Sequence, residues 1–359
     1  MSGKRVIIVG AGIIGASFAW HLARAGARVT VLDALAQAGG VATPKSWAWI
    51  NASWGNPEPY FRLRHRSMGL WRGMSADIAG LHVQWNGGLL WDLPQAELEA
   101  YVKLQSAWGY GVRLIDSVEA RTLEPALAQV PDVAAHVAEE GAVEPVHAVE
   151  HLLSAAGALG AEIKHGVVVR GLHVVGNAVH GVATDAGVIA ADEVVIAAGT
   201  ATPKLLTSVG VAFPLEEPAG LLVHSKPVAK TLSGLVMTPE LHVRQTAEGR
   251  LVAGSDYGGT DPGVEPQRAA DELFARVKSL LRDGDALELD FYTVGIRPNV
   301  PDGVSAIGRV NRIEGLYMCV THSGITLAPV LGALGAKEII DVERDPLLQS
   351  FSPDRLLRT

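Results

Sequence analysis

"RVIIVGAGIIGASFAWHLARAGARVTVLDA", residues 5–34, decides the fold. Val6 to Val9 is a short run without a polar residue, as a parallel strand buried on both faces requires. Gly10, Gly12 and Gly15 follow as G-x-G-x-x-G, and the spacing predicts a helix from there to about Arg24, stopped by Gly26. Val29 to Leu32 reads as a second strand that ends at Asp33. A lone glycine motif says little. Set between a strand and a helix, with an acid closing the next strand, it marks a dinucleotide site. The glycines let the backbone approach a pyrophosphate, whose charge meets the helix N-terminus. Asp33 is suited to accept from ribose hydroxyls and would repel a 2′-phosphate.

Working outward, the texture changes from about Asp77 to Glu140, where short strands such as "LHVQWNGGLLWDL" alternate with charged helical pieces. A helix-forming stretch follows, then alternating apolar residues and glycine turns through "VVVRGLHVVGNAVHGVATDAGVIAADEVVIAAGT", which read as a meander ending in another apolar strand. "ELHVRQ", the turn "TAEGR" and "LVAGSDYGG" make a hairpin, and a helix over about Pro266 to Leu281 precedes "LELDFYTVGIRP". The expected fold class is α/β: a discontinuous Rossmann-like nucleotide domain (1–77, 141–213 and 298–359) interrupted by a strand-rich α+β substrate domain (78–140 and 214–297).

Length and composition bound the function. A chain of 359 residues exceeds what one core usually covers, and 48% hydrophobic residues exclude a disordered chain. The formal net charge is −8 and no basic block occurs, which argues against nucleic acid as partner. Cys319 is the one cysteine, so a CxxC pair, an internal disulfide and a thiolate zinc cage are excluded, and any redox chemistry must come from a bound cofactor. The apolar run from Val6 to Ala25 is interrupted by glycines, His21 and Arg24 and does not read as a membrane span. The first strand starts at Arg5, and a cytoplasmic protein is the expectation.

Which dinucleotide binds turns on two further segments. "GGVAT", Gly39 to Thr43, comes soon after Asp33, where an NAD domain would be starting its next helix. "ADEVVIAAGTATP" supplies a second strand ending in glycine, at Gly199. With "VGIRPNVPDGVSAIG" and "GLYMCVTHSGITLAPVLG" near the end, these stretches make nearly the whole chain resemble the FAD-dependent D-amino-acid oxidases, glycine oxidases and sarcosine oxidases. The resemblance implies FAD bound by Gly10, Gly12, Ile14, Gly15, Asp33 and Ala34, with Thr43 near the flavin and the Val168 backbone on the adenine. Gly199 and the final loop and helix, with Gly324, Ile325 and Thr326, complete the implied cofactor site. Some members tether the flavin through a cysteine near the position of Arg297. None stands there, so non-covalent FAD is expected, with Cys319 a buried small residue.

The resemblance also implies a substrate site. In relatives with G-x-R-P before the closing strand the arginine binds the substrate carboxylate, and "GIRP" puts Arg297 in that role. A planar guanidinium pairs bidentately with a carboxylate and keeps its charge when buried. The alternative is an ion pair under the loop. His242, which shares a strand face with Arg244, and Tyr257 occupy hairpin positions that line the substrate site in glycine oxidases. His242 also fits an ordinary strand histidine. His322 would lie near the flavin, either moving a proton or orienting the loop. Trp47, Trp49 and Trp54 suit an apolar roof or a domain interface, and Arg62, Arg64, His65 and Arg66 read as a solvated helix face.

The reading is therefore an oxidoreductase of a small amino acid or N-substituted amino acid, with hydride transfer to FAD and an imine hydrolysed by water. Oxygen or another electron acceptor completes the cycle. Three rivals remain: a quinone-linked or partner-linked dehydrogenase, a flavin-binding subunit of a larger complex, and an NAD enzyme, which the two-part nucleotide pattern disfavours. A homo-oligomer fits as well as a heteromeric assembly.

Overall fold

A computed structural model describes residues 3–52, 55–256 and 258–358. Its first sheet has six strands in the order 306–309, 316–320, 193–196, 5–9, 28–33, 162–165. All but the first run parallel. The strand Arg5–Val9 (β1) leads into the helix Ile13–Arg24 (α1) and on to the strand Arg28–Asp33 (β2). Alternation sorts the side chains of β1. Val6 and Ile8 join the core built with Phe18, Leu22 and Leu331 on the helical face. Ile7 and Val9 join the opposite core, with Val179, Val182 and Leu206 beneath an antiparallel sheet of strands 169–175, 178–184 and 187–190.

The second sheet has eight strands, in the order 289–296, 219–225, 251–254, 242–245, 235–237, 88–90, 133–137, 112–116. The helix Pro266–Leu280 buries Ala270, Leu273, Phe274 and Val277 against it, with Val223, Val236, Val243 and Ala253 in the same cluster. A small sheet of strands 49–50, 141–143 and 83–84 joins the two bodies and carries Trp49. The longest helix, Glu58–Asp77 (α2), packs beside the C-terminal helix Gly324–Asp341. Among the described residues no helix is long and apolar enough to cross a membrane.

Two glycines set the closeness of α1 to β1. Gly10 has φ +108°, a conformation other residues rarely adopt. A β-carbon on Gly15 would lie 1.9 Å from the Gly10 carbonyl oxygen, so the first turn of α1 sits directly on the strand end. Alanine normally favours a helix over glycine by about 1 kcal/mol. Here the overlap is with backbone and outweighs that gain. Gly15→Ala should lower stability by about 1–3 kcal/mol, as overpacking does, and lower the FAD content of purified protein. Thermal melting and flavin absorbance check both.

Candidate active site

The parallel strands end at a common rim, with Val9–Gly10, Leu32–Asp33, Ala197–Ala198 and Val320–Thr321 all lining one cleft. Ligands in open α/β sheets bind outside the carboxyl ends of the strands. The opposite wall comes from the second sheet, with Gly220, Leu222, Gly258 and Gly295–Arg297. The cleft encloses about 770 Å³, toward the upper end of the range for small-molecule sites.

At one end lies the glycine turn. Gly12, Ile13 and Ile14 line the cleft, and no acidic residue in the first turn of α1 offsets its positive end. The "GGVAT" segment folds back on this turn. Gly39 N–H donates to the Ala11 carbonyl at 3.2 Å, and the Thr43 hydroxyl accepts from Ile13 N–H at 3.2 Å. Asp33 braces the turn as well as lining the cleft. Its carboxylate accepts from Ala11 N–H at 2.6 Å and Leu35 N–H at 2.8 Å. Two oxygens offer about four lone-pair sites, so capacity remains for ribose hydroxyls. Gly15 does not line the cleft; it acts by letting α1 approach. Ala34, Val168, Gly199, Gly324, Ile325 and Thr326 all line it.

Arg297 lines the same cleft. It is half-buried, and burial pulls its pKa below the ordinary arginine value while Asp256 opposes the shift. Gly258 makes room for it: a β-carbon there would lie 2.5 Å from Arg297 Nη2. Beside it His322 closes a hydrogen-bonded chain. Arg64 Nη1 donates to Ser323 Oγ at 2.6 Å, and Ser323 Oγ lies 3.1 Å from His322 Nδ1. His322 Nε2 lies 2.9 Å from the Gly303 carbonyl. The carbonyl only accepts, so Nε2 carries the proton and Nδ1 accepts from Ser323. Burial, then the charges of Arg64 and Arg297, pull His322 down to about 4, with the Gly303 bond opposing. The ring is neutral with both nitrogens engaged, which suits a loop-orienting role.

His242 is not in the cleft wall. It is buried, 3.5 Å from the Asp92 carboxylate. The ring of Trp47, which does line the cleft, lies 5.8 Å from it between centroids. His242 and Arg244 do share a face, but that face meets the Trp47 segment. Arg244 Nε donates to the Trp47 carbonyl at 2.6 Å and Nη1 pairs with Glu144 at 3.0 Å. His242 thus stands one layer behind the site. Tyr257 and Trp54 lie outside the described residues. Trp47 and Trp49 meet edge to face at 5.7 Å and form an apolar part of the wall. Trp49 Nε1 donates to Glu140 at 2.8 Å, and Tyr110 donates to the other carboxyl oxygen at 2.5 Å. Burial pushes this carboxyl up to about 8.

The solvated reading of the α2 cluster fails at one residue. Arg62 pairs with Glu58, His65 faces Glu139 and Arg66 pairs with Asp345, all outside the cleft. Arg64 is turned inward, 6% exposed, and lines the cleft. It lies in the stripe Tyr60, Leu63, Arg64, Ser67, Trp71, whose helical spacing was visible in the sequence. Asn51, also in the wall, was missed and carried no signal of its own. The wall holds five cationic side chains, Lys45, Arg64, Arg170, Lys204 and Arg297, and one acid, Asp33. Of the five, Arg64 is buried and Arg297 half-buried, while Lys45, Arg170 and Lys204 are exposed and Arg170 pairs with Asp185.

These features fit a dinucleotide whose pyrophosphate would meet the glycine turn, in a cleft that Arg297 also lines. Residues 5–338 match the family described as "FAD dependent oxidoreductase", and the chain belongs to it. It is an FAD-dependent oxidoreductase. An uncharacterized oxidoreductase, YurR, of Bacillus subtilis (strain 168) is 29% identical over 98% of each chain. A glycine oxidase of Bacillus licheniformis is 25% identical over 97% of this chain and 96% of its own. The crystal structure of an L-proline dehydrogenase from P. horikoshii shares the fold, with a TM-score of 0.88 at 24% identity over 99% of this chain and 98% of the other.

Two outcomes test this geometry. Gly258→Ala should leave the melting temperature nearly unchanged, because the far end of a side chain can move. It should weaken carboxylate ligands severalfold by displacing Arg297, as flavin absorbance titration would show. The second concerns pH. His21, His224 and His322 are all held near 4, chiefly by burial, against 6.5 for free histidine. Their folded-state values are depressed, so the unfolded chain binds more protons between 6.5 and 4. Their contribution is complete above 6.5 and is lost as pH falls toward 4. Glu140, raised, contributes the opposite sign on the way up to about 8. His322→Asn should take up about one proton fewer on unfolding in acid, read as a shallower loss of melting temperature below about pH 6.

Proposed function

We propose that the chain oxidises the C–N bond of a small amino acid or an N-substituted amino acid, releasing an imine that water hydrolyses. The observation that carries this reading is Arg297, half-buried in the wall of the cleft that also contains the glycine turn. The glycine oxidase relative supports an amino acid as substrate. Bound FAD supplies the acceptor for the hydride that leaves the carbon beside nitrogen.

The protein's own residues do the rest. Gly10, Gly12 and Ile14 at the turn, with Asp33 and Ala34, hold the nucleotide end. Thr43, Gly199 and the Gly324–Thr326 turn border the cofactor farther along. Arg297 grips the carboxylate through its fork and so fixes the reacting carbon. Trp47 and Trp49 keep one wall apolar, which disfavours an ammonium and helps the amine shed its proton. His322, neutral and bonded at both ring nitrogens, holds the Gly303 and Ser323 segments in place.

Arg297→Ala should weaken amino-acid substrates by about 2–5 kcal/mol, the range for truncating one partner of a buried charge pair. Decarboxylated analogues of the same substrate should change far less. An anaerobic screen of amino acids and secondary amines for flavin bleaching finds the substrate, and no bleaching by any would refute catalysis. Acid precipitation of the yellow protein should release FAD to the supernatant. Flavin retained on the denatured chain would refute non-covalent binding.

A further inference from the structure

A second cation lies buried in the same cleft. Arg64, 6% exposed, forms no ion pair within 4 Å among the described residues, although the Glu140 carboxyl and the Tyr60 hydroxyl act on its charge, and its Nε has no hydrogen-bond partner among them. Its Nη1 is bonded to Ser323 and its Nη2 to the Asn51 side-chain oxygen. Asn51 is 1% exposed, and its Nδ2 likewise has no hydrogen-bond partner among the described residues. Ser323 stands at the N-terminal end of the helix Gly324–Asp341 without a side-chain capping hydrogen bond, and that helix spans 18 residues with no acid in its first turn. Gly324, Ile325 and Thr326 of that turn line the cleft with Arg64 and Asn51.

A charge out of water is costly unless paired, and unpaired buried donors add to that cost. A helix N-terminus presents further N–H groups and a positive end. Guanidinium, amide and helix end therefore combine three independent preferences for one negative group. Asp33, the one acid of the wall, already braces the glycine turn through Ala11 and Leu35.

We propose that Arg64, Asn51 and the N-terminus of the helix Gly324–Asp341 form a second anion subsite in the cleft, separate from Arg297. The inference rests on the reading above, that FAD and an amino-acid carboxylate share this cleft. The chemistry recognised is a group with delocalised negative charge and in-plane acceptors. Two sources fit: a second carboxylate on the substrate, or the flavin ring, which becomes electron-rich when reduced.

The test uses holoenzyme: wild type, Arg64→Met, Arg64→Lys and Arg297→Met. Flavin absorbance titrations at constant ionic strength give dissociation constants for propionate, malonate, succinate and glutarate. Equilibrium dye reduction gives the midpoint potential. For a substrate carboxylate, one dicarboxylate should bind wild type at least tenfold tighter than propionate. Arg64→Met should erase that advantage, with propionate binding and the potential unchanged. For the flavin, Arg64→Met should lower the potential by about 30 mV or more, a tenfold loss for a two-electron couple, and leave the propionate-to-dicarboxylate ratio alone. Arg64→Lys should keep part of either effect. If Arg64→Met alters neither the ratio nor the potential, the subsite does not exist. If it fails to retain FAD, Arg64→Lys decides: a fork-built subsite predicts a severalfold loss in one readout, and wild-type values in both overturn it. Arg297→Met should weaken propionate and dicarboxylates alike. If it does not, the carboxylate role of Arg297 fails, with the Arg64 result standing apart.

Discussion

The close approach of α1 to the end of β1 is the constraint on which the rest depends. With no side chain at Gly15, the helix starts against the Gly10 carbonyl and its N-terminus opens at the rim of the parallel sheet. The rim is where the parallel strands end, so every loop that follows a strand converges on the same cleft. Asp33 tightens this arrangement by tying the end of β2 to the turn through Ala11. The "GGVAT" segment then seats on Gly12, where a β-carbon on Gly40 would come within 3.1 Å of the Gly12 α-carbon. The nucleotide site is therefore a consequence of backbone packing more than of side-chain chemistry.

Charge is distributed to match. The surface carries many exposed ion pairs, such as Arg5–Asp192 and Arg170–Asp185, each of small energetic consequence. The cleft wall differs in its acids: Asp33 is the one acid among its described lining residues, and Arg64 is buried there. Buried acids elsewhere are answered locally. Glu140 is held by Trp49 and Tyr110, and Glu338 by Arg344 and Tyr317. His322 shows the same economy. It lies beside two guanidinium groups and takes up no proton near neutrality, so it adds no further charge.

Legibility differed along the chain. Strand, turn and helix around Gly10–Gly15 were readable because local periodicity and burial coincide there. The hairpin at His242 was readable as a hairpin, and its shared face with Arg244 followed from alternation. What alternation could not say was which layer that face meets. Trp47 comes from a segment about 200 residues away in sequence, as the Arg244–Trp47 bond records, and it stands in front of His242. Arg64 was misread for the opposite reason. Its neighbours Arg62, His65 and Arg66 are surface residues, and a charge run conceals one member that turns inward. The apolar stripe of α2 held the correction, since Arg64 falls four residues after Tyr60 and three before Ser67.

The sequence by itself determined the class of fold, the glycine cradle, the acid that closes β2, and the arginine in "GIRP" as a candidate anion grip. These are local signals: each depends on residues within a few positions, where backbone geometry and hydrophobic spacing leave little freedom. The tertiary structure alone decided which side chains share the cleft, that His322 is bonded at both nitrogens, and that Arg64 meets Asn51 and Ser323. Those contacts join α2, the small linking sheet and the C-terminal helix. Their meeting is set by the packing of whole elements against one another, and no window of sequence contains it.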